Sequence, residues 1–351
     1  MNRAITQRPE RIVVFYFSGT GNAKQVALWL CELAVQRGIG CQLCDIARTD
    51  IDTMEIPGHG GLIVFISPIH GFNYPKITLD FIRRFPKGRN NVVLMNTRAG
   101  MRLGRIVTPG LTGVAFILSS MILKGKGYGI VGQIPFDMPS NWISIHPALG
   151  RETVAYLQKT NYGRVEKHAN KILEGKADFI AYRDLLQDIL ISPVSLAYYL
   201  VGRFAFAKSF YASGDCDVCG LCVKQCPVKA IKVTSGRPYW TFKCESCMKC
   251  MNSCSKKAIE TAHGLFLASS VLGAALTTVL LNKIMGVYIE NGFVRSMVFS
   301  LVFMALLWIL YDFQHLLLRN KYIGKLISLT SLTHYKFWGR YKLTLHDGRK
   351  K

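Results

Sequence analysis

Acidic side chains are scarce in this 351-residue sequence: Asp and Glu total 21 against 44 Lys and Arg, a formal charge of +23. Such an excess favours anionic surfaces, whether phospholipid, nucleic acid or an acidic protein, and selects none of them by itself. Residues 1–11 carry Arg3, Arg8 and Arg11 but no apolar run and no twin arginine, so no cleaved secretion signal is expected. A second dinucleotide fingerprint is missing, which leaves nicotinamide nucleotides without support. Nothing in the chain identifies a proton-transferring catalytic residue.

Half of the residues are apolar, a high share for so basic a chain, and the two facts agree if the apolar residues are concentrated in membrane spans. Residues 265–281 carry no charge over 17 positions and residues 297–311 none over 15, the latter extending to 318 if Asp312 and His315 sit near headgroups. Tyr288, Trp308 and Tyr311 lie towards segment ends, where interfacial aromatics gather. The connection holds only Lys283, Glu290 and Arg295, whereas the tail from Arg319 is rich in Lys and Arg. The positive-inside rule then predicts a two-helix membrane hairpin, 264–318, with both chain ends and a basic tail, 319–351, in the cytoplasm. Membrane lipid accounts for the dispersed basic residues, and no nucleic-acid partner is expected.

Of eleven cysteines, eight fall between Cys216 and Cys254, a metal-site rhythm rather than a disulfide scaffold, and one suited to a reducing cytosol. They form an internal repeat: Cys219 to Ile231 aligns with Cys247 to Ile259 at a constant offset of 28. Each half reads C-x2-C-x2-C-x3-C, in which three thiolates on a tight loop serve one cluster while the fourth reaches the other. That assigns Cys216, Cys219, Cys222 and Cys254 to one [4Fe-4S] cluster and Cys244, Cys247, Cys250 and Cys226 to a second. Zinc is the competing metal, but it takes four ligands in two separated pairs and leaves the third and fourth cysteine of each run unexplained. From about Asp215 to Ile259 the chain resembles bacterial two-cluster ferredoxins, which implies a ferredoxin domain over 213–263. It departs from them at Ser255, where Pro227 supplies the usual proline in the first half; the restored N–H can move the potential of the cluster that Cys254 serves.

The first 175 residues alternate β-rich runs (11–17, 41–46, 62–67, 91–96, 128–135) with helical stretches (23–37, 75–85, 112–123, 151–174), which predicts an α/β domain with a doubly wound parallel sheet. The first strand runs through Ser18, Gly19, Thr20, Gly21, Asn22 and Ala23 straight into a helix, a turn that aims backbone N–H groups, hydroxyls and a helix N-terminus at one point, as a phosphate requires. This run resembles the FMN-phosphate loop of flavodoxins, and the strand alternation matches their 2-1-3-4-5 sheet. The resemblance implies FMN, with isoalloxazine contacts from Ser67, Pro68, Ile69, His70 and Gly71 after strand three and from Asn96, Thr97, Arg98, Ala99 and Gly100 after strand four. Ala23 stands where flavodoxins carry a hydroxyl. Arg98, Arg102 and Arg105 stand where they tend to be acidic; inward-pointing cations would raise the flavin potential, and solvated ones would not.

Cys31 is expected to be a small buried hydrophobe, and Cys41 and Cys44 to face opposite sides of a strand. Residues 125–129 read as a turn, and Pro139 to Trp142, just past strand five, as a structural loop, with a border to the flavin site as the alternative. Residues 176–212 read as a helical linker that packs on its neighbour, being too short to span a bilayer before Arg203.

The order of parts resembles flavodoxin-ferredoxin fusions, extended by membrane helices. That resemblance implies an iron-sulfur flavoprotein moving electrons to a redox protein or quinone pool. Two other readings stay open: an oxidoreductase reducing a quinone or other small molecule at the flavin, and a cluster-bearing sensor whose first domain is empty.

Overall fold

The β-rich runs of the first half assemble into one twisted sheet. The computed structural model of the protein describes residues 7–58, 60–279 and 292–342. In chain order the elements are β1 (Arg11–Tyr16), α1 (Asn22–Gln36), β2 (Gly40–Asp45), β3 (Leu62–Pro68), α2 (Lys76–Arg84), β4 (Asn91–Leu103), β5 (Ile106–Thr108), α3 (Ala115–Gly125), β6 (Gly129–Pro139) and α4 (Arg151–Leu173). The parallel strands lie in the order β2-β1-β3-β4-β6, and β5 folds back antiparallel on the far end of β4. Counting parallel strands alone, this is the expected 2-1-3-4-5 order of a flavodoxin-like fold.

Both faces are covered, so the strands read as unbroken apolar runs. On one face Ile12 and Val14 meet Val26 and Leu30 of α1 and Val165, Ala169 and Ile172 of α4. On the other, Phe15 stacks on Phe65 at 5.5 Å, and Phe81 and Phe85 close over it from α2 and its end.

The structure corrects the expected end of the fourth strand. Instead of turning at residue 96, β4 stays paired with β6 through Gly100 opposite Pro139. A buried ion network explains the extension. Arg98, 5% exposed, stands opposite Asp137 in the ladder; its Nε donates to Asp137 Oδ1 at 2.6 Å and its Nη1 to Asp184 Oδ2 at 2.6 Å. Arg164 Nη1 donates to the other oxygen of Asp137 at 2.5 Å. Burial works against the Arg98 charge, but Asp137 and Asp184 outweigh it and hold the guanidinium protonated.

Cys31 is buried as expected, yet it is not a mere packing group: it forms a disulfide with Cys41, Cα to Cα 5.4 Å. The short connection after α1 lays β2 beside the helix and brings together positions 10 apart in sequence.

The linker is built of short turns and helices. It forms a 3-10 turn (Ile180–Asp184), α5 (Leu185–Leu190), α6 (Ser192–Ala197), a π turn (Tyr198–Gly202) and α7 (Arg203–Ala207). Leu186 and Leu190 are 73% and 71% exposed rather than covered. The inward side of α5 is used by Asp188, which accepts from the amides of Gly113 at 2.7 Å and Thr112 at 3.3 Å.

The chain divides into two compact units, residues 1–141, 148–196 and 341–351 forming one and residues 142–147 and 197–340 the other. The second unit contains β7 (Phe210–Ala212), α8 (Leu221–Gln225), β8 (Ile231–Thr234), β9 (Arg237–Trp240), α9 (Lys249–Ser253), β10 (Ile259–Thr261), α10 (His263–Val279), α11 (Gly292–Leu317) and α12 (Lys321–Leu329).

Among the described residues one helix, α11, is long and apolar enough to cross a membrane, not two. α10 is described over 17 residues, and the expected helix end at Leu281, with Tyr288 and the connecting charges Lys283 and Glu290, lies outside the described residues. The end of α11 packs on protein: Tyr311 is 1% exposed and its hydroxyl donates to Phe210 O at 2.9 Å. Nor are residues 319–342 a loose basic tail. Asn320 caps α12, Trp338 Nε1 donates to Ile143 O at 2.6 Å, and Arg340 donates to the carbonyls of Lys257 and Ile259.

Replacing Asp137 by Ala leaves Arg98 with one buried carboxylate and Arg164 with none of its own. The expected cost is about 3–5 kcal/mol of unfolding free energy, measured by denaturant titration; a loss under about 1 kcal/mol would show that the network does not hold β4.

Candidate functional sites

The internal repeat of the sequence is a repeat of backbone. α8 and α9 are offset by 28 residues, and so are three pairs of left-handed positions: Val218 (φ 55°) and Ser246 (φ 50°), Gly220 (φ 72°) and Met248 (φ 60°), Lys229 (φ 50°) and Lys257 (φ 54°). Side chains with a Cβ seldom adopt such angles, and they persist where the surroundings enforce them. The strands exchange between halves: β7, which precedes the first run of cysteines, pairs with β10 after the second, and β8 pairs with β9. This exchange carries the last cysteine of each run to the opposite half.

Cys216, Cys219, Cys222 and Cys254 accordingly line one recess, with Cys250 also on its wall. In the other half, the thiols of Cys244, Cys247 and Cys250 each feel the charge of Cys226. All eight are free thiols. Backbone amides point at sulfur: Ser246 N lies 3.4 Å from Cys244 Sγ and Ala230 N 3.2 Å from Cys226 Sγ. Burial pushes the Cys222 and Cys247 thiols up to about 11 and raises those of Cys216, Cys244 and Cys250. A bound cation must therefore displace protons from these sulfurs.

Among the described residues no three His, Cys, Asp or Glu side chains close on a single metal ion. One zinc at about 2.3 Å from each sulfur requires thiolates about 3.8 Å apart. A cubane instead offers each thiolate its own iron. Two sulfur-only quartets with amides turned towards them fit that wider group.

The second candidate lies at the carboxyl ends of β1, β3 and β4, neighbours in the sheet. Ser18, Gly19, Thr20 and Gly21 are half-buried, and Gly21 is left-handed at φ 107°. Ser18 Oγ accepts from Gly21 N at 3.1 Å, which closes the turn. Among the described residues, the amides of Gly19, Thr20, Asn22 and Ala23 donate to no backbone acceptor, so the start of α1 presents a cluster of donors. Two braces were not legible in the sequence. Asn22 Nδ2 donates to Pro139 O at 2.8 Å, and its Oδ1 accepts from Tyr341, 319 positions away, at 2.6 Å. Asn141 Nδ2 donates to Thr20 Oγ1, so the loop after β6 does border this edge.

After β3, Ser67 is buried and bonded to Thr78 Oγ1 at 2.8 Å, while Pro68, Ile69 and His70 are half-buried and Gly71 is buried. A tight turn pairs His70 with Asn73 and puts Phe72 at φ 63°. Ile69 N donates to Thr97 O at 2.9 Å and joins this turn to β4.

The fourth-strand group fares differently. Asn96 and Thr97 are buried at the edge, Asn96 Nδ2 reaching Thr112 Oγ1 at 3.3 Å, but Arg98 is spent on carboxylates and Gly100 is locked in the ladder. Both earlier alternatives for Arg98, a cation turned on the ligand or one solvated outside, are replaced by a neutralised core residue. Arg102 donates to Gly104 O and lies 4.3 Å from the Tyr156 ring, in the β4–β5 hairpin.

No family model and no curated protein matches the chain. Solved structures similar to it include a rubredoxin:oxygen oxidoreductase from Desulfovibrio gigas (13% identity, 47% of this chain and 38% of that one, TM-score 0.27). Others are flavodoxin 1 from Bacillus cereus (16% identity, 45% and 98%, TM-score 0.28) and the flavodiiron protein from Giardia intestinalis (13% identity, 50% and 39%, TM-score 0.27). The chain thus spans about 38% of the length of the first of these. Assignment of the sheet stands on its own strand order.

Gly113 is left-handed at φ 64°, and a Cβ there would lie 2.2 Å from Phe72 O. Gly113→Ala is expected to displace the His70–Asn73 turn and lower stability by about 1–3 kcal/mol, read as a fall in melting temperature. An unchanged melting temperature would mean that the turn yields freely.

Proposed function

We propose that the chain is a membrane-associated iron-sulfur flavoprotein that moves electrons between FMN and two [4Fe-4S] clusters for a redox partner. The observation that carries this reading is the strand exchange between two duplicated cysteine loops, which gathers Cys216, Cys219, Cys222 and Cys254 around one recess. Cysteine spacing of this kind is similar to that of bacterial ferredoxins.

When bound, each cluster exchanges single electrons and FMN one or two, which joins a paired-electron donor to a one-electron acceptor. The chain's own residues do the rest. Eight cysteine thiols would lose their protons and hold the iron as thiolates. Amides directed at Cys226 and Cys244 spread charge off the sulfurs. The donors of residues 19–23 would take the FMN phosphate, and the turn at His70–Asn73 would border the ring. Arg98, being ion-paired, leaves the flavin potential to other groups.

α11 supports membrane association: Phe293, Met297, Leu301, Trp308 and Ile309 are each at least half exposed on a 26-residue apolar helix. Basic residues after its end, Arg319, Lys321 and Lys325, favour the cytoplasmic side. A quinone pool or a membrane redox protein is the partner that this arrangement suits.

Anaerobic purification in detergent is expected to yield FMN and about eight irons per chain. Cys254→Ala should lower the iron to about four and leave the paramagnetic signal of the Cys244 quartet. Wild-type protein that binds zinc alone, or gives no signal on reduction, would overturn the cluster assignment. Gly21→Val, which forces a branched side chain into φ 107°, is expected to weaken FMN by roughly 1–2 kcal/mol, five- to thirty-fold, in a fluorescence titration. Equal affinity would move the flavin away from this loop.

A further inference from the structure

Lys208 is 1% exposed, a rare state for an ammonium. Its Nζ donates to Tyr239 Oη at 2.7 Å and to Trp240 O at 3.0 Å. Three rings wall it in, Tyr239 at 4.1 Å and Phe242 and Tyr311 at 4.6 Å each. Packing alone does not call for a charge there. A buried ammonium is costly to desolvate, and its hydrogen bonds and ring faces recover part of the loss. Burial lowers its pKa to about 8, while Asp312 and Cys244 pull the other way.

The box stands directly before Cys244 in the chain: Trp240 supplies a carbonyl and Phe242 a ring. Asp312 is the nearest counter-charge, accepting from Tyr239 Oη at 2.8 Å. The duplication is broken at this point, because the position 28 residues after Lys208 is Gly236, which has no side chain to offer. The Cys216 quartet instead has Arg237 and Arg340 in electrostatic range, both only half-buried and so screened by water as Lys208 is not.

We infer that Lys208 is a built-in electrostatic device that raises the reduction potential of the cluster held by Cys244, Cys247, Cys250 and Cys226 above that of its duplicate. Reduction adds negative charge, and a fixed cation in a dry, aromatic surrounding stabilises the reduced form with little screening. The result is an uneven pair from an even fold, in which electrons collect on the quartet beside α11. This rests on the cluster assignment above and adds the order of the two potentials.

Potentiometric titration followed by electron paramagnetic resonance tests it on the full chain in detergent. In Lys208→Met one of the two midpoint potentials should fall by at least a tenfold change in the reduction equilibrium, about 59 mV for one electron. The same fall should appear in a Cys254→Ala background, where only the Cys244 quartet is complete. Lys208→Arg, which keeps the charge, should restore it. Lys208→Gln, which removes the charge but keeps a hydrogen-bond donor, should lower the same potential, and it decides the matter if Lys208→Met fails to load iron. Unmoved potentials in both variants, or equal shifts from Met and Arg, would overturn the inference. Wild-type protein without cluster signals would instead sink the cluster assignment itself.

Discussion

Everything in the second unit depends on a backbone that turns left-handed at fixed places in each cysteine loop. Val218 and Ser246 adopt angles that their side chains resist. In doing so they turn each run of cysteines back on itself around the short helices α8 and α9. The strands then cross between halves, and the last cysteine of each run finds the opposite loop. Without the exchange, each loop would hold three sulfurs and lack the fourth.

The first unit is governed by a different economy of charge. Its strands are buried on both faces, so a guanidinium within β4 survives only because Asp137 meets it across the ladder and Asp184 from the 3-10 turn. That pairing lengthens β4 beyond the site edge. It also withdraws the cation most obviously placed to act on a ligand there. What remains at the edge is a neutral set of amides and small side chains, braced from distant points by Asn141 and Tyr341.

The α/β character, the strand order and α1 and α4 were legible because apolar periodicity is a local signal. The ends of β4 and the surroundings of Arg98 were not, since they depend on an aspartate 39 residues away. The same holds for Cys31 and Cys41, which the chain joins only after β2 folds against α1. The apolar run after residue 185 looked like a packed bridge, and the inward demand of Asp188 turned its leucines outward. The segment after Arg319 looked like a charged tail, yet its few aromatics, Trp338 and Tyr341, tie it down.

By itself, the sequence determined the identity and spacing of eight sulfur donors, the glycine turn ahead of α1 and the layered first unit, because each is a pattern over neighbouring residues. Only the tertiary structure decided where the cations go, and that Lys208 is sealed among rings beside Cys244. Those are matters of distance between segments far apart in the chain, and the electrostatic energy of a charge is set by its surroundings in space.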